Sequence, residues 1–194
     1  MRRLFLCMIL VSWYTLLKAQ YEGMEYYQEQ DPAVKAKLEQ WQDLKFGFFV
    51  HWGPYSQKGY CESWTICTED VDWIQRDTII SYDEYYRNYV NLKKTFNPVK
   101  FNPEYWADLA KEAGMKYFVF TTKHHDGFCM WDTKETDYKI TSSECPYHTA
   151  PHPDILKELF GAFQKRDFMI GAYFSKPDWN NPYYWSDRWQ HGDR

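Results

Sequence analysis

Polar, chemistry-bearing residues follow directly on apolar runs at two places in this chain. The longer stretch, Tyr117 to Trp131, reads Y-F-V-F-T-T-K-H-H-D-G-F-C-M-W. Its first half is aromatic and β-branched, the composition of a strand buried on both faces. It then changes at Lys123-His124-His125-Asp126-Gly127, two imidazoles and a carboxylate before a glycine that lets the backbone turn. A second apolar run, Phe46 to Val50, ends the same way in His51-Trp52-Gly53. Imidazoles at strand ends can donate and accept hydrogen bonds or ligate a metal. A histidine pair can equally be structural, satisfied by backbone. Two strands ending alike favour a shared site. Glu62-Ser63-Trp64, in a long aromatic loop from Pro54 to Thr78, adds a carboxylate beside an indole. Long loops inside compact domains are commonly functional. For Glu62 alone, a solvated loop position is the plainer reading.

The elements that must position these residues alternate. Asp31-Pro32 is a cap followed by proline at the first helical position, which predicts a helix to about Asp43 with Val34, Leu38 and Trp41 on one face. Ser81-x-x-Glu84 is a capping box that opens a helix carrying Tyr85, Tyr86 and Tyr89, so Glu84 already has a structural duty. Asn102-Pro103 starts a further helix, in which Trp106, Leu109, Ala110 and Ala113 form an apolar stripe and Gly114 ends it. His152-Pro153 opens another, with Ile155, Leu156, Leu159, Phe160 and Phe163 inward and Lys165-Arg166 in the last turn. Phe168 to Phe174 is the third strand, followed by Asp178-Trp179. This order predicts β-α-β-α-β with parallel strands, the first three βα units of a TIM-like (β/α)8 barrel. The carboxyl ends of such strands collect the ligand-contacting side chains.

Composition narrows the class. Residues 1–19, with Arg2-Arg3 before the apolar run Leu4 to Leu17 and Ala19 at the cut, form an expected signal peptide, so the mature chain is expected to be exported. The run is too short and too interrupted for a membrane span. Cys7 leaves with it. Cys61, Cys67, Cys129 and Cys145 remain, as free thiols or as one or two bridges, and none is spaced C-x-x-C for zinc. The 194 residues carry a net charge of -4, so no basic surface argues for nucleic acid. No G-x-G-x-x-G or P-loop argues for nucleotides. Aromatic residues make up 21%, and flat rings with polar tips suit stacking on sugar faces.

At this point the chain resembles the α-L-fucosidases of glycoside hydrolase family 29. The resemblance rests on Lys45–Ser56 (K-F-G-F-F-V-H-W-G-P-Y-S), on Trp106–Trp131 (W-A-D-L-A-K-E-A-G-M-K-Y-F-V-F-T-T-K-H-H-D-G-F-C-M-W) and on Gly171–Trp179 (G-A-Y-F-S-K-P-D-W). It implies that residues 20–194 are the N-terminal portion of a catalytic barrel hydrolysing terminal α-linked L-fucose with retention, without a cofactor. The ligand would be a fucosylated oligosaccharide or glycoconjugate. Family fucose-binding positions fall on His51, His124, His125 and Tyr173. Glu62 and Trp64 fall on the family's carboxylate and indole, although Ser63 separates them where the family often has E-W adjacent. Pro153-Asp154 stands where the family opens its helix with Arg-Asp. The nucleophilic aspartate, in a W-N-D-like motif, and the acid/base are expected beyond Arg194, so the chain alone is expected not to turn over.

Two other classes compete. A metal-dependent barrel hydrolase would use His51, His124, His125 and Asp126 as ligands. Adjacent His124 and His125 would point to opposite sides of a regular strand, which disfavours one shared metal. A non-catalytic sugar-binding or truncated product would carry exposed strand edges prone to aggregation.

Overall fold

The computed structural model describes residues 29–68, 74, 76, 79–181, 183 and 184. The expected signal peptide 1–19, most of the arm before Asp31, part of the loop 54–78 and residues 185–194 lie outside these. The chain divides into two compact units, Met1–Gln40 and Trp41–Arg194.

Helix α1, Pro32–Leu44, opens where expected, the Asp31 carboxylate accepting from the Ala33 amide at 2.8 Å. None of its residues is buried. In the second unit, β1 (Gly47–Val50), β2 (Tyr117–Lys123) and β3 (Met169–Phe174) form a parallel sheet in the order β1-β2-β3. Gly47 is opposite Tyr117, and a Cβ there would sit 2.3 Å from the Tyr117 ring, so a larger residue would force that ring to move.

Helices cover one face of the sheet. The elements between β1 and β2 include α2 (Tyr82–Val90) and α3 (Pro103–Glu112), while α4 (Ile155–Gln164) joins β2 to β3. Phe118 and Phe120 point into this layer and are fully buried, and the Phe118 ring stacks on Phe163 of α4 with centroids 3.8 Å apart and planes 10° off parallel. On the opposite face Phe49 is 51% exposed and Tyr173 37% exposed. β2 was expected to be buried along both faces. In fact Tyr117 and Val119 are half-buried, and two-sided burial holds only from Phe120 to Lys123.

Two helix details differ from the sequence reading. In α3 the inward stripe is Trp106, Ala107 and Ala110, whereas Leu109 and Ala113 face solvent. Two small alanines allow the helix to lie close on the sheet, which shifts the buried face by part of a turn. α4 starts at Ile155, two residues later than His152-Pro153, because the Asp154 carboxylate is the cap: it accepts from the Lys157 amide at 3.0 Å. Its other oxygen accepts from the Asp132 amide at 3.1 Å, tying the cap to the loop after β2. Lys165 and Arg166 fall just past α4. The Arg166 guanidinium donates to the Ala162 carbonyl at 2.9 Å and to Asp108 of α3 at 2.7 Å, and Lys165 donates to Glu104 at 2.9 Å.

At α2 the serine half of the expected capping box forms, with Ser81 Oγ accepting from the Glu84 amide at 3.2 Å. The loop after β1 is not loose. Tyr55, Ile66 and Cys67 pack with Tyr85 and Tyr89 of α2, Leu92 and Trp179 in a second apolar cluster. All four described cysteines are free thiols, Cys61 exposed and Cys67, Cys129 and Cys145 buried. Among the described residues no helix is long and apolar enough to cross a membrane.

Candidate functional site

β1 and β2 deliver their imidazoles by stopping, while Tyr173 lies within β3. β2 ends at Lys123, and the Gly127 amide closes a turn by donating to the His124 carbonyl at 3.1 Å. Gly127 takes a φ of 81°, the left-handed region that glycine enters without strain. The chain then folds back along β2, with the Met130 amide donating to the Thr122 carbonyl at 3.0 Å. Asp126 braces this turn from beneath. It is almost wholly buried, accepts from the Phe128 amide at 3.2 Å and from the Tyr89 hydroxyl at 2.9 Å, and burial pushes its pKa up to about 6. Its role is structural.

The turn gathers the rings. The centroids of His124 and His125 are 4.5 Å apart, His51 lies 5.5 Å from His124, and Tyr173 of β3 lies 5.3 Å from His51. Trp64 stands in the short 3-10 helix Trp64–Ile66, edge-on to His125 at 5.2 Å. Trp179 covers His125 at 4.5 Å and meets Trp64 at 5.3 Å, and its amide donates to the His125 carbonyl at 2.6 Å. Five of the six residues read from the sequence, His51, Trp64, His124, His125 and Tyr173, thus form one connected cluster of rings. Glu62 sits beside it, half-buried with a φ of 41°, its carboxylate accepting the Cys61 thiol proton at 3.2 Å.

The expectation that His124 and His125 point apart fails because neither lies in the strand. The rings meet edge to face. Among the described residues no group of three His, Cys, Asp or Glu side chains could hold a metal ion.

His124 and His125 are held toward the neutral form. Burial, helped by the positive charge that His125, His51 and Lys123 can carry, lowers the His124 pKa to about 3. His125 is lowered by burial and by Lys123, against the opposing pull of the Pro177 carbonyl and the Glu62 carboxylate. Lys123 is itself buried. Its ammonium donates to the Pro177 carbonyl at 3.2 Å and lies 3.8 Å from Asp178, while burial lowers its pKa. Neutral imidazoles can donate on one nitrogen and accept on the other, the combination that adjacent hydroxyls of a ligand require.

Two site residues were not singled out by the sequence reading. Trp179 could have been, since it follows a polar residue after the third strand in the same way as Trp52 and Trp64 follow theirs. Ser63 could not. It read as an interruption between Glu62 and Trp64, yet it is fully buried with its Oγ 2.5 Å from Nδ1 of His124.

A parallel sheet with helices on one face, and imidazoles, indoles and a phenol collected at its carboxyl ends, defines an α/β protein with an aromatic cluster at the sheet's carboxyl end. The chain belongs to the alpha-L-fucosidase family, whose profile matches residues 15–194. It is 32% identical over 178 residues to a putative alpha-L-fucosidase of Caenorhabditis elegans, covering 90% of this chain and 36% of that protein. To the human tissue alpha-L-fucosidase it is 34% identical over 153 residues, covering 75% of this chain and 31% of that one. A Bacteroides thetaiotaomicron alpha-L-fucosidase of family GH29, crystallised as a trapped covalent intermediate with 2-fluoro-fucosyl fluoride, superposes with a TM-score of 0.63 at 34% identity, over 88% of this chain and 36% of that one. The Lactobacillus casei enzyme in complex with alpha-L-fucose superposes with a TM-score of 0.57 at 34% identity, over 80% and 46% of the two chains. The chain thus spans about a third of the length of the curated relatives it matches.

Proposed function

We propose that this chain supplies the fucose-holding wall of a retaining α-L-fucosidase, built on the first three βα units of a (β/α)8 barrel. The observation that carries the reading is the cluster of His51, His124 and His125 between Tyr173 and the Trp64–Trp179 pair. L-Fucose is a deoxy sugar, so one edge offers hydroxyls and another a methyl group. Neutral imidazoles suit the hydroxyls, and indole and phenol rings suit the apolar edge. Glu62 is the carboxylate best placed to accept from a further hydroxyl, since its charge is already felt by His125.

Retaining hydrolysis needs two carboxyl groups about 5–5.5 Å apart. Asp126 is committed to Tyr89 and the Phe128 amide, and Asp178 faces Lys123 while accepting from the Asn180 amide at 3.1 Å. We assign neither to the chemistry, and place the nucleophile and the acid/base outside these 194 residues. The covalent intermediate trapped in the Bacteroides relative supports retention. The basic, apolar N-terminus supports export of the mature chain, with fucosylated oligosaccharides or glycoconjugates as its ligands.

Two measurements on the purified 194-residue chain test this. Titration with L-fucose should shift the ring signals of His51, His124 and His125. Incubation with an aryl α-L-fucoside should release no aglycone. Ring signals that stay still would remove the binding role, and clear turnover would place the catalytic carboxyls inside the chain. A binding response lost on chelation would instead revive the metal reading.

A further inference from the structure

We propose that Ser63 is a positioning residue: its hydroxyl holds the Nδ1 edge of His124, so that Nε2 is the ring atom presented to the sugar. The inference rests on the fucose-binding reading and adds to it a residue that the motif did not contain.

Three observations carry it. Ser63 is fully buried and His124 is 4% exposed, with Oγ and Nδ1 2.5 Å apart, and this is the one hydrogen bond found for the ring among the described residues. The aromatic neighbours, His51 at 5.5 Å, His125 at 4.5 Å and Tyr55 at 6.2 Å, confine the plane of the ring. They cannot tell one edge from the other, because a half-turn of the ring exchanges nitrogen for carbon with little change in shape. Only a polar partner discriminates. Secondly, Ser63 is the residue before the 3-10 helix Trp64–Ile66, where a serine ordinarily caps, and its side chain makes no cap hydrogen bond. The hydroxyl is committed to His124 instead.

The third observation concerns its neighbour. Glu62 holds a left-handed φ of 41°, a conformation that costs a non-glycine residue energy and that persists where surrounding structure demands it. That kink separates the two side chains. Glu62 reaches the exposed Cys61 thiol, while Ser63 turns into the core beneath His124. A hydroxyl can donate to Nδ1 or accept from it, so the contact fixes which edge of the ring faces Ser63 and leaves Nε2 for a ligand.

The test uses the 194-residue chain labelled with 15N in its histidines. At neutral pH the Nδ1 signal of His124 in the wild type should carry the shift of a hydrogen-bonded ring nitrogen. Ser63→Ala should move that Nδ1 signal and weaken L-fucose binding about tenfold, as loss of a buried hydrogen bond implies. Ser63→Cys, of similar volume but a weak donor, should follow the alanine variant, and Ser63→Thr should restore the wild-type Nδ1 signal. Circular dichroism identifies any variant that fails to fold, and the remaining substitutions still decide the matter. An unchanged His124 spectrum in folded Ser63→Ala overturns the proposal, and so does a moved Nδ1 signal with unchanged fucose affinity. A wild-type chain that binds no fucose removes the fucose reading, while the ring signals still report whether Ser63 holds His124.

Discussion

His124 and His125 are neighbours in sequence, and their rings lie with centroids 4.5 Å apart. A continuing strand would have sent them to opposite faces of the sheet. Ending β2 at Lys123 and turning at Gly127 brings both imidazoles to the same side, where Trp179 covers one and Ser63 anchors the other. Strand termination is therefore what makes a pair of adjacent histidines into a site.

His124 should stay neutral down to about pH 4. Its pKa in the fold is about 3, against 6.5 in the unfolded chain, because burial excludes the imidazolium. Below pH 6.5 the unfolded state takes up a proton that the folded state refuses. The stabilisation is therefore complete above pH 6.5 and is lost as the pH falls toward 3. Between pH 6.5 and 5 the loss from this group is about 2 kcal/mol. Ring 15N signals followed from pH 8 to pH 4 should show His124 unprotonated throughout, and a midpoint near 6.5 would show the ring to be solvated.

Asp126 has the opposite slope. Burial raises its pKa from 3.8 to about 6, so between those values the folded state holds a proton that the unfolded state releases. Its contribution is greatest below pH 3.8 and declines as the pH rises through 6, by about 3 kcal/mol in total. The two slopes overlap between about pH 4 and 6 and offset each other in the wild type. Asp126→Asn removes only the acid. Its urea midpoint should therefore fall more steeply than that of the wild type as pH drops from 6 to 4. Parallel pH dependences would mean that Asp126 ionises freely.

Much of this architecture is legible in the residues, because local signals and burial agree. Asp31-Pro32, Ser81-x-x-Glu84 and Asn102-Pro103 all cap the helices they announce. His51, His124 and His125 follow apolar runs and do meet. The failures come where tertiary packing overrides a local pattern. Leu109 belongs to an i, i+3 stripe, yet the close fit of Ala107 and Ala110 on the sheet turns it outward. Asp154 rather than His152-Pro153 starts α4, because its carboxylate also serves the loop at Asp132. Ser63 has no signature at all, since a serine before a turn looks like a cap, and only the fold brings His124 above it. Trp179 reaches His125 across 54 positions of chain, a contact that no periodicity encodes.

Gly127 is where the turn and the third strand's loop meet, and replacing it should disturb both. Its φ of 81° alone costs a residue with a side chain about 1–2 kcal/mol. A Cβ at this position would also stand 2.6 Å from Asp178 Oδ1, closer than any relaxed contact. Asp178 cannot simply swing away, because that oxygen accepts from the Asn180 and Asn181 amides at 3.1 and 3.2 Å and the carboxylate neighbours Lys123. Gly127→Ala should therefore lower the melting temperature and displace Trp179, weakening L-fucose binding as the indole moves off His125. Adding Asp178→Ala would remove the collision and leave the backbone strain, so the double variant should regain fucose affinity relative to Gly127→Ala while remaining less stable than the wild type. A single Gly127→Ala variant with wild-type stability would mean that the turn after β2 does not hold its left-handed geometry, and the side-by-side placement of His124 and His125 would lose its cause.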